Sequence, residues 1–124
     1  MEKNFQAQLL ELANGVCLLD CYLTLGGYET FEDKIFYLMK SQSKHLVGED
    51  GWVNDANRLY TEVLEQNKKV YKTYEYHGDE PVIACWDNAH FTIVDKDGQV
   101  TYDPLGPREN KYKNITSYRV VEEK

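Results

Sequence analysis

Residues 90–106 read HFTIVDKDGQVTYDPLG, and the pattern of this stretch decides the fold class. His90 to Val94 is a run rich in β-branched and aromatic residues, Asp95-Lys96-Asp97-Gly98 is a turn signal, and Gln99 to Asp103 is a second such run stopped by Pro104. The stretch therefore reads as an antiparallel hairpin. With Asp95 to Gly98 as a four-residue turn, Ile93 lies opposite Val100, Phe91 opposite Tyr102 and His90 opposite Asp103. A turn centred on Asp97-Gly98 moves the pairing by two and leaves His90 and Asp103 diagonal on one face. Directly opposed Cβ atoms are roughly 5 Å apart and diagonal ones roughly 7 to 8 Å. An imidazole–carboxylate hydrogen bond is thus expected in the first register and strained in the second.

Around this hairpin the rest of the second half is also strand-like: VYKTYEYH, PVIACW and ITSYRVVEE are separated by Gly, Pro, Asp and Asn. The short spacing predicts an antiparallel meander. Before about Lys69 the period is helical. Phe5, Leu9, Leu10 and Ala13 predict an amphipathic first helix that stops at Asn14-Gly15, and VCLLDCYLTL, interrupted only by Asp20 and Thr24, predicts a nearly all-round buried second helix broken at Gly26-Gly27. Thr30 is placed to cap a third helix with Phe31, Ile35, Phe36 and Met39 on its inner face. Ser41 to Gly51 reads as a loop, and a fourth helix is expected from about Asn54 to Gln66 with Ala56, Leu59, Tyr60 and Leu64 apolar. Helices followed by strands predict an α+β domain, N-terminal helices packed on a C-terminal antiparallel sheet of about five strands, with residues 1–124 as one domain.

Composition narrows the function classes. At 124 residues, 42% hydrophobic and 28% charged, the chain is long enough for one sizeable core, and its formal charge of −7 with no basic patch argues against nucleic-acid binding. No run reaches bilayer length, and Glu2, Lys3 and Glu11 interrupt the first apolar segment, which reads as a helix and not as a signal peptide. Three cysteines without framework spacing suit a reducing compartment, so a cytoplasmic location is expected.

Cys17, His90 and Asp103 are the three residue types of a cysteine-hydrolase triad, in the order Cys, His, Asp. An Asp beside a His fixes the imidazole tautomer and stabilises the imidazolium, so that the second ring nitrogen can take a proton from a nucleophile. Cys17 falls in the first turn of the buried helix, where unpaired backbone N–H groups and the helix dipole favour a thiolate and can hold a developing oxyanion. Cys21, one turn further in, lacks that position, and Cys85 reads as a strand core residue. His45 and His77 lie in loop-like surroundings and receive no role.

This arrangement resembles the papain-like cysteine peptidases, especially the compact bacterial domains that process double-glycine bacteriocin leaders. The His…Asp-Pro-Leu-Gly stretch is similar to the pattern of a small bacterial and phage-associated family with a presumed papain-like fold. The motif-level similarity covers residues 14–28 and 90–106. It implies Cys17 as nucleophile, His90 as general base and Asp103 as orienting acid, acting through a thioester on a peptide or protein substrate with no cofactor. The chain differs from the pattern at two positions: Val16 precedes the cysteine where relatives have Gly, and Glu11 stands six residues before it where they have an oxyanion-hole Gln. Gln8 and Asn14 are the replacements within reach in sequence. Two other readings use the same residues. One is a non-catalytic binding or inhibitor protein on this scaffold, suggested by small size, acidity and ten tyrosines. The other is a metal site of Cys17, Cys21, His90 and Asp103, for which the usual Cys-x-x-Cys spacing is missing.

Overall fold

The computed structural model describes residues 16–105 and 113–124. The expected first helix, with Gln8, Glu11, Asn14 and Gly15, and Gly106 of the hairpin motif lie outside the described residues. The chain then forms α1 (Cys17–Leu25), α2 (Phe31–Ser43), and α3 (Ala56–Arg58), which continues as a π-helical turn over Leu59–Val63. Five strands follow: β1 (Lys68–Thr73), β2 (Val82–Trp86), β3 (His90–Val94), β4 (Val100–Tyr102) and β5 (Ile115–Glu123). These helices pack against one antiparallel sheet, so the α+β layout holds.

The sheet is not a meander. Its strand order is β1-β5-β2-β3-β4, with β5 inserted between β1 and β2. Composition explains the exchange. In β1 the sequence KKVYKT exposes Lys69, Tyr71 and Lys72, which suits an edge, whereas β5 carries apolar or β-branched side chains toward both faces and suits a centre.

The two faces of the sheet bury different clusters. Ile83, Cys85, Phe91 and Ile93 join the helices in the larger core, while Val82, Ala84, Val94 and Val120 pack with Tyr76, Trp86 and Tyr118 on the other side. In α1 every residue from Cys17 to Leu23 is buried, as the all-apolar pattern predicts. Each fully buried Leu in such a helix contributes about 1.5–3 kcal/mol relative to exposure. The helix lies on β3 and β2, which brings its first turn to the strand that begins with His90.

Thr30 does cap α2, its hydroxyl accepting the Asp33 N–H at 3.2 Å. Of the four residues expected on the inner face of α2, Phe31 and Ile35 pack against the core and Phe36 and Met39 do not. Phe36 and Met39 are 57% and 64% exposed, and the buried positions are Lys34, Leu38 and Ser41. Lys34 takes a buried position because Asp20, fully buried on α1, needs a cation: the Lys34 ammonium lies 2.5 Å from Asp20 Oδ1. Asp55 caps α3, and the π turn, closed by the Leu64 N–H on the Leu59 carbonyl at 3.0 Å, turns Leu59, Tyr60, Val63 and Leu64 all inward.

Candidate active site

Two turns set the position of His90. The turn before it has Asp87 and Asn88 in the left-handed region, at φ 53° and 56°, a conformation that Asn and Asp tolerate better than other non-glycine residues. The Asp87 carboxylate accepts the N–H groups of Lys113 and Asn114 at 3.1 and 3.2 Å, tying this turn to the start of β5. The turn after β3 is shorter than the four-residue form. Asp95 and Gln99 are joined by a backbone hydrogen bond of 2.9 Å, Gly98 sits at φ 80°, and the Asp95 carboxylate accepts the N–H groups of Asp97 and Gln99. Lys96 to Gly98 thus form a three-residue loop with a left-handed glycine.

A bulge at Thr101 then shifts the ladder, so that Val94 faces Val100 but Ile93 faces Tyr102. This is the diagonal register for His90 and Asp103, and the hydrogen bond forms in it nonetheless: His90 Nε2 lies 2.8 Å from Asp103 Oδ1. The expectation of strain fails because β4 ends at Tyr102, and Asp103 has already left the ladder. The same carboxylate oxygen accepts the Leu105 N–H at 2.9 Å, a local turn that aims it back at the ring.

Cys17 is close enough to His90 to favour the charged imidazole, so the sequence-predicted thiol lies in the neighbourhood of the His90–Asp103 pair. Burial of the ring disfavours its charged form, but the hydrogen bonds and charges of Asp103 and Cys17 outweigh it and lift the imidazole from 6.5 to about 9. With Nε2 engaged by Asp103, Nδ1 is the nitrogen not used by the carboxylate. Cys17 lies in the first turn of α1, ahead of the first intrahelical bond from the Asp20 N–H to the Val16 carbonyl at 2.8 Å. Cys21 is different. It is fully buried, and burial, together with the charges of Asp20 and Cys17, pushes its thiol well above the ordinary range, so it is no nucleophile. Cys85 is 5% exposed in β2, and all three thiols are free.

The proposed four-residue metal centre is not formed. Among the described residues no three His, Cys, Asp or Glu side chains converge to hold a metal ion. Cys21 belongs to the core beneath the site.

Cys17 opens into a pocket of about 360 Å³ whose walls include Trp52, Lys72, Asn88, Phe91 and Arg119. Trp52 is delivered by a loop closed through the Val47–Val53 bridge, where Asp50 Oδ1 accepts the Trp52 N–H at 3.0 Å, and its ring centroid is 6.1 Å from that of Phe91. A larger cavity of about 720 Å³ lies between α2 and the 45–54 segment. We assign the site to the smaller pocket because it holds Cys17.

Behind the triad runs a buried polar network that the sequence reading passed over. Lys34 donates to Asp20 Oδ1, Thr24 Oγ1 at 2.8 Å and Tyr102 Oη at 3.0 Å, which satisfies all three of its N–H bonds. Tyr102 Oη donates to Asp20 at 2.9 Å, and burial with the Asp20 charge pushes the phenol far above its ordinary range. Tyr102 adjoins Asp103, so the network anchors the residue from which the orienting carboxylate projects. The signal was present as an Asp in an otherwise apolar helix, which requires a buried cation.

The chain matches no known protein family, no curated protein and no solved structure. Among the described residues, no helix is long and apolar enough to cross a membrane.

Proposed function

We propose that this chain is a cysteine hydrolase of papain-like design, cleaving a peptide or other amide bond in a reducing compartment such as the cytoplasm. The observation that carries the reading is the hydrogen-bonded His90–Asp103 pair with Cys17 beside it, the thiol lining an open pocket. In the first step the Cys17 sulfur bonds to the substrate carbonyl carbon while the proton of the Cys17–His90 pair resides on the imidazole. The negative charge that forms on oxygen is met by N–H groups of the first turn of α1. The imidazolium, steadied by Asp103, returns its proton to the leaving amine as the C–N bond breaks. His90 then takes a proton from water, hydroxide adds to the thioester, and loss of the carboxylate restores the thiol.

The test is labelling with iodoacetamide at pH 6–7, read by peptide mass spectrometry. Cys17 is expected to react faster than Cys21, Cys85 and free glutathione, and to lose that advantage in His90→Ala. Turnover of an amide substrate is expected to vanish in Cys17→Ala and His90→Ala and to persist in Cys21→Ala. A Cys17 no faster than glutathione, or indifferent to His90, refutes the proposal.

A second reading, a non-catalytic binding protein on the same scaffold, is favoured by the exposure of Phe36 and Met39 on the outer face of α2. It predicts no hyper-reactive thiol and a complex that survives Cys17→Ala.

A further inference from the structure

Lys72 of β1 and Arg119 of β5 are directly opposed across the antiparallel pair. Like charges in that position repel, and this chain has the means to avoid it, with 21 acidic residues against 14 basic ones. Three positions along the same two strands it does so: Lys69 faces Glu122, with nitrogen and oxygen 3.2 Å apart. Among the described residues, neither Lys72 nor Arg119 has a carboxylate within ion-pair distance. Both line the pocket that contains Cys17.

Arg119 is held in place without being neutralised. One terminal nitrogen donates to Ser117 Oγ at 3.1 Å, and the guanidinium stands 5.4 Å from the Phe91 ring centroid. A guanidinium fixed by a hydroxyl and an aromatic face keeps further N–H donors in a fork that matches a carboxylate. Trp52 and Phe91 add an apolar wall to the same pocket. An acidic protein thus keeps an uncompensated cationic pair beside its candidate nucleophile.

We propose that this pocket binds a carboxylate of the substrate, so that the hydrolase prefers amides whose neighbouring residue bears an acidic side chain or a free terminal carboxylate. The inference rests on Cys17 as the nucleophile, and its test separates the two. Cys17 is alkylated with iodoacetate, which is anionic, and with iodoacetamide, which is neutral, in the wild type, the double variant Lys72→Gln/Arg119→Gln, and Arg119→Lys. The rate ratio of iodoacetate to iodoacetamide is expected to exceed that of glutathione, to fall roughly tenfold in the double Gln variant, and to be kept in Arg119→Lys. A fast iodoacetamide reaction with a ratio equal to that of glutathione overturns the carboxylate pocket and leaves the hydrolase standing. A slow iodoacetamide reaction with a ratio that still depends on Arg119 does the reverse. Failure of both reagents to reach Cys17 overturns the pocket. The source of the carboxylate follows from calorimetry on Cys17→Ala with acetyl-glutamate amide, acetyl-glutamine and acetyl-glutamine amide. Binding of the first marks an acidic side chain and binding of the second a terminal carboxylate, and the third is expected not to bind; equal binding of all three overturns the proposal.

Discussion

Replacing Asp103 by Asn removes one negative charge and keeps the shape of the side chain, which makes it the sharpest probe of the His90 environment. The rise of the imidazole from 6.5 to about 9 is the net of burial, which opposes it, and of Asp103 and Cys17, which support it. At roughly 1.4 kcal/mol per pH unit this is about 3 kcal/mol in favour of the imidazolium, and His90 is only 4% exposed at its side chain, so solvent screens little of it. Because the folded value lies above the unfolded one, the stabilisation is complete below about pH 6.5 and is lost as pH rises through about 9. The wild type is therefore expected to lose up to about 3 kcal/mol across that window, and Asp103→Asn, in which burial opposes the charged ring and Cys17 alone supports it, is expected to lose less. Tyr102 and Cys21 also lose favourable terms in alkali, but both proteins carry them, so the difference isolates His90. Denaturant unfolding at several pH values measures this, and NMR titration of the His90 ring gives the midpoints directly, with exposed His45 and His77 as internal references. Parallel stability curves for the two proteins, or a wild-type His90 midpoint at or below 6.5, would refute the reasoning.

Other perturbations have equally definite outcomes. Lys34→Met strands the Asp20 charge in the core and is expected to cost about 3–5 kcal/mol in denaturant unfolding, with much of that recovered in Asp20→Leu/Lys34→Met. Tyr102→Phe leaves Asp20 and Lys34 paired but removes the anchor beside Asp103; a loss of about 1–3 kcal/mol is expected, with a His90 NMR midpoint lower than in the wild type. Phe36→Gln and Met39→Gln, on the exposed side of α2, are expected to change thermal stability by no more than about 0.5 kcal/mol, whereas Leu38→Ala on the buried side costs about 2–5 kcal/mol.

What the sequence disclosed was set by how local the controlling interactions are. The buried α1 follows from an apolar run that no other arrangement could solvate, and the Thr30 cap follows from one hydroxyl three residues from its N–H donor. His90 and Asp103 were legible because a hairpin joins them, although the register was settled by Gly98 and the Thr101 bulge, whose combined shift exceeds what a turn signal encodes. The inner face of α2 was read correctly at Phe31 and Ile35 and misread at Phe36, Met39 and Lys34, because Phe36 and Met39 are apolar and Lys34 is not. The deciding partner, Asp20, lies 14 residues away on another helix. The facing of Lys72 and Arg119 was invisible for a related reason, since it depends on β5 entering the sheet between β1 and β2.

That insertion also has a kinetic consequence. β1 and β2 are near neighbours in the chain, yet only the last strand in chain order joins them. A chain emerging from the ribosome can form α1 and the β2–β3 hairpin, and so bring Cys17 near His90, while its sheet is still in two parts. The cationic wall at Arg119 and the latch of Asp87 on Lys113 and Asn114 arrive only with residues 113–123. Such late, long-range pairing slows folding.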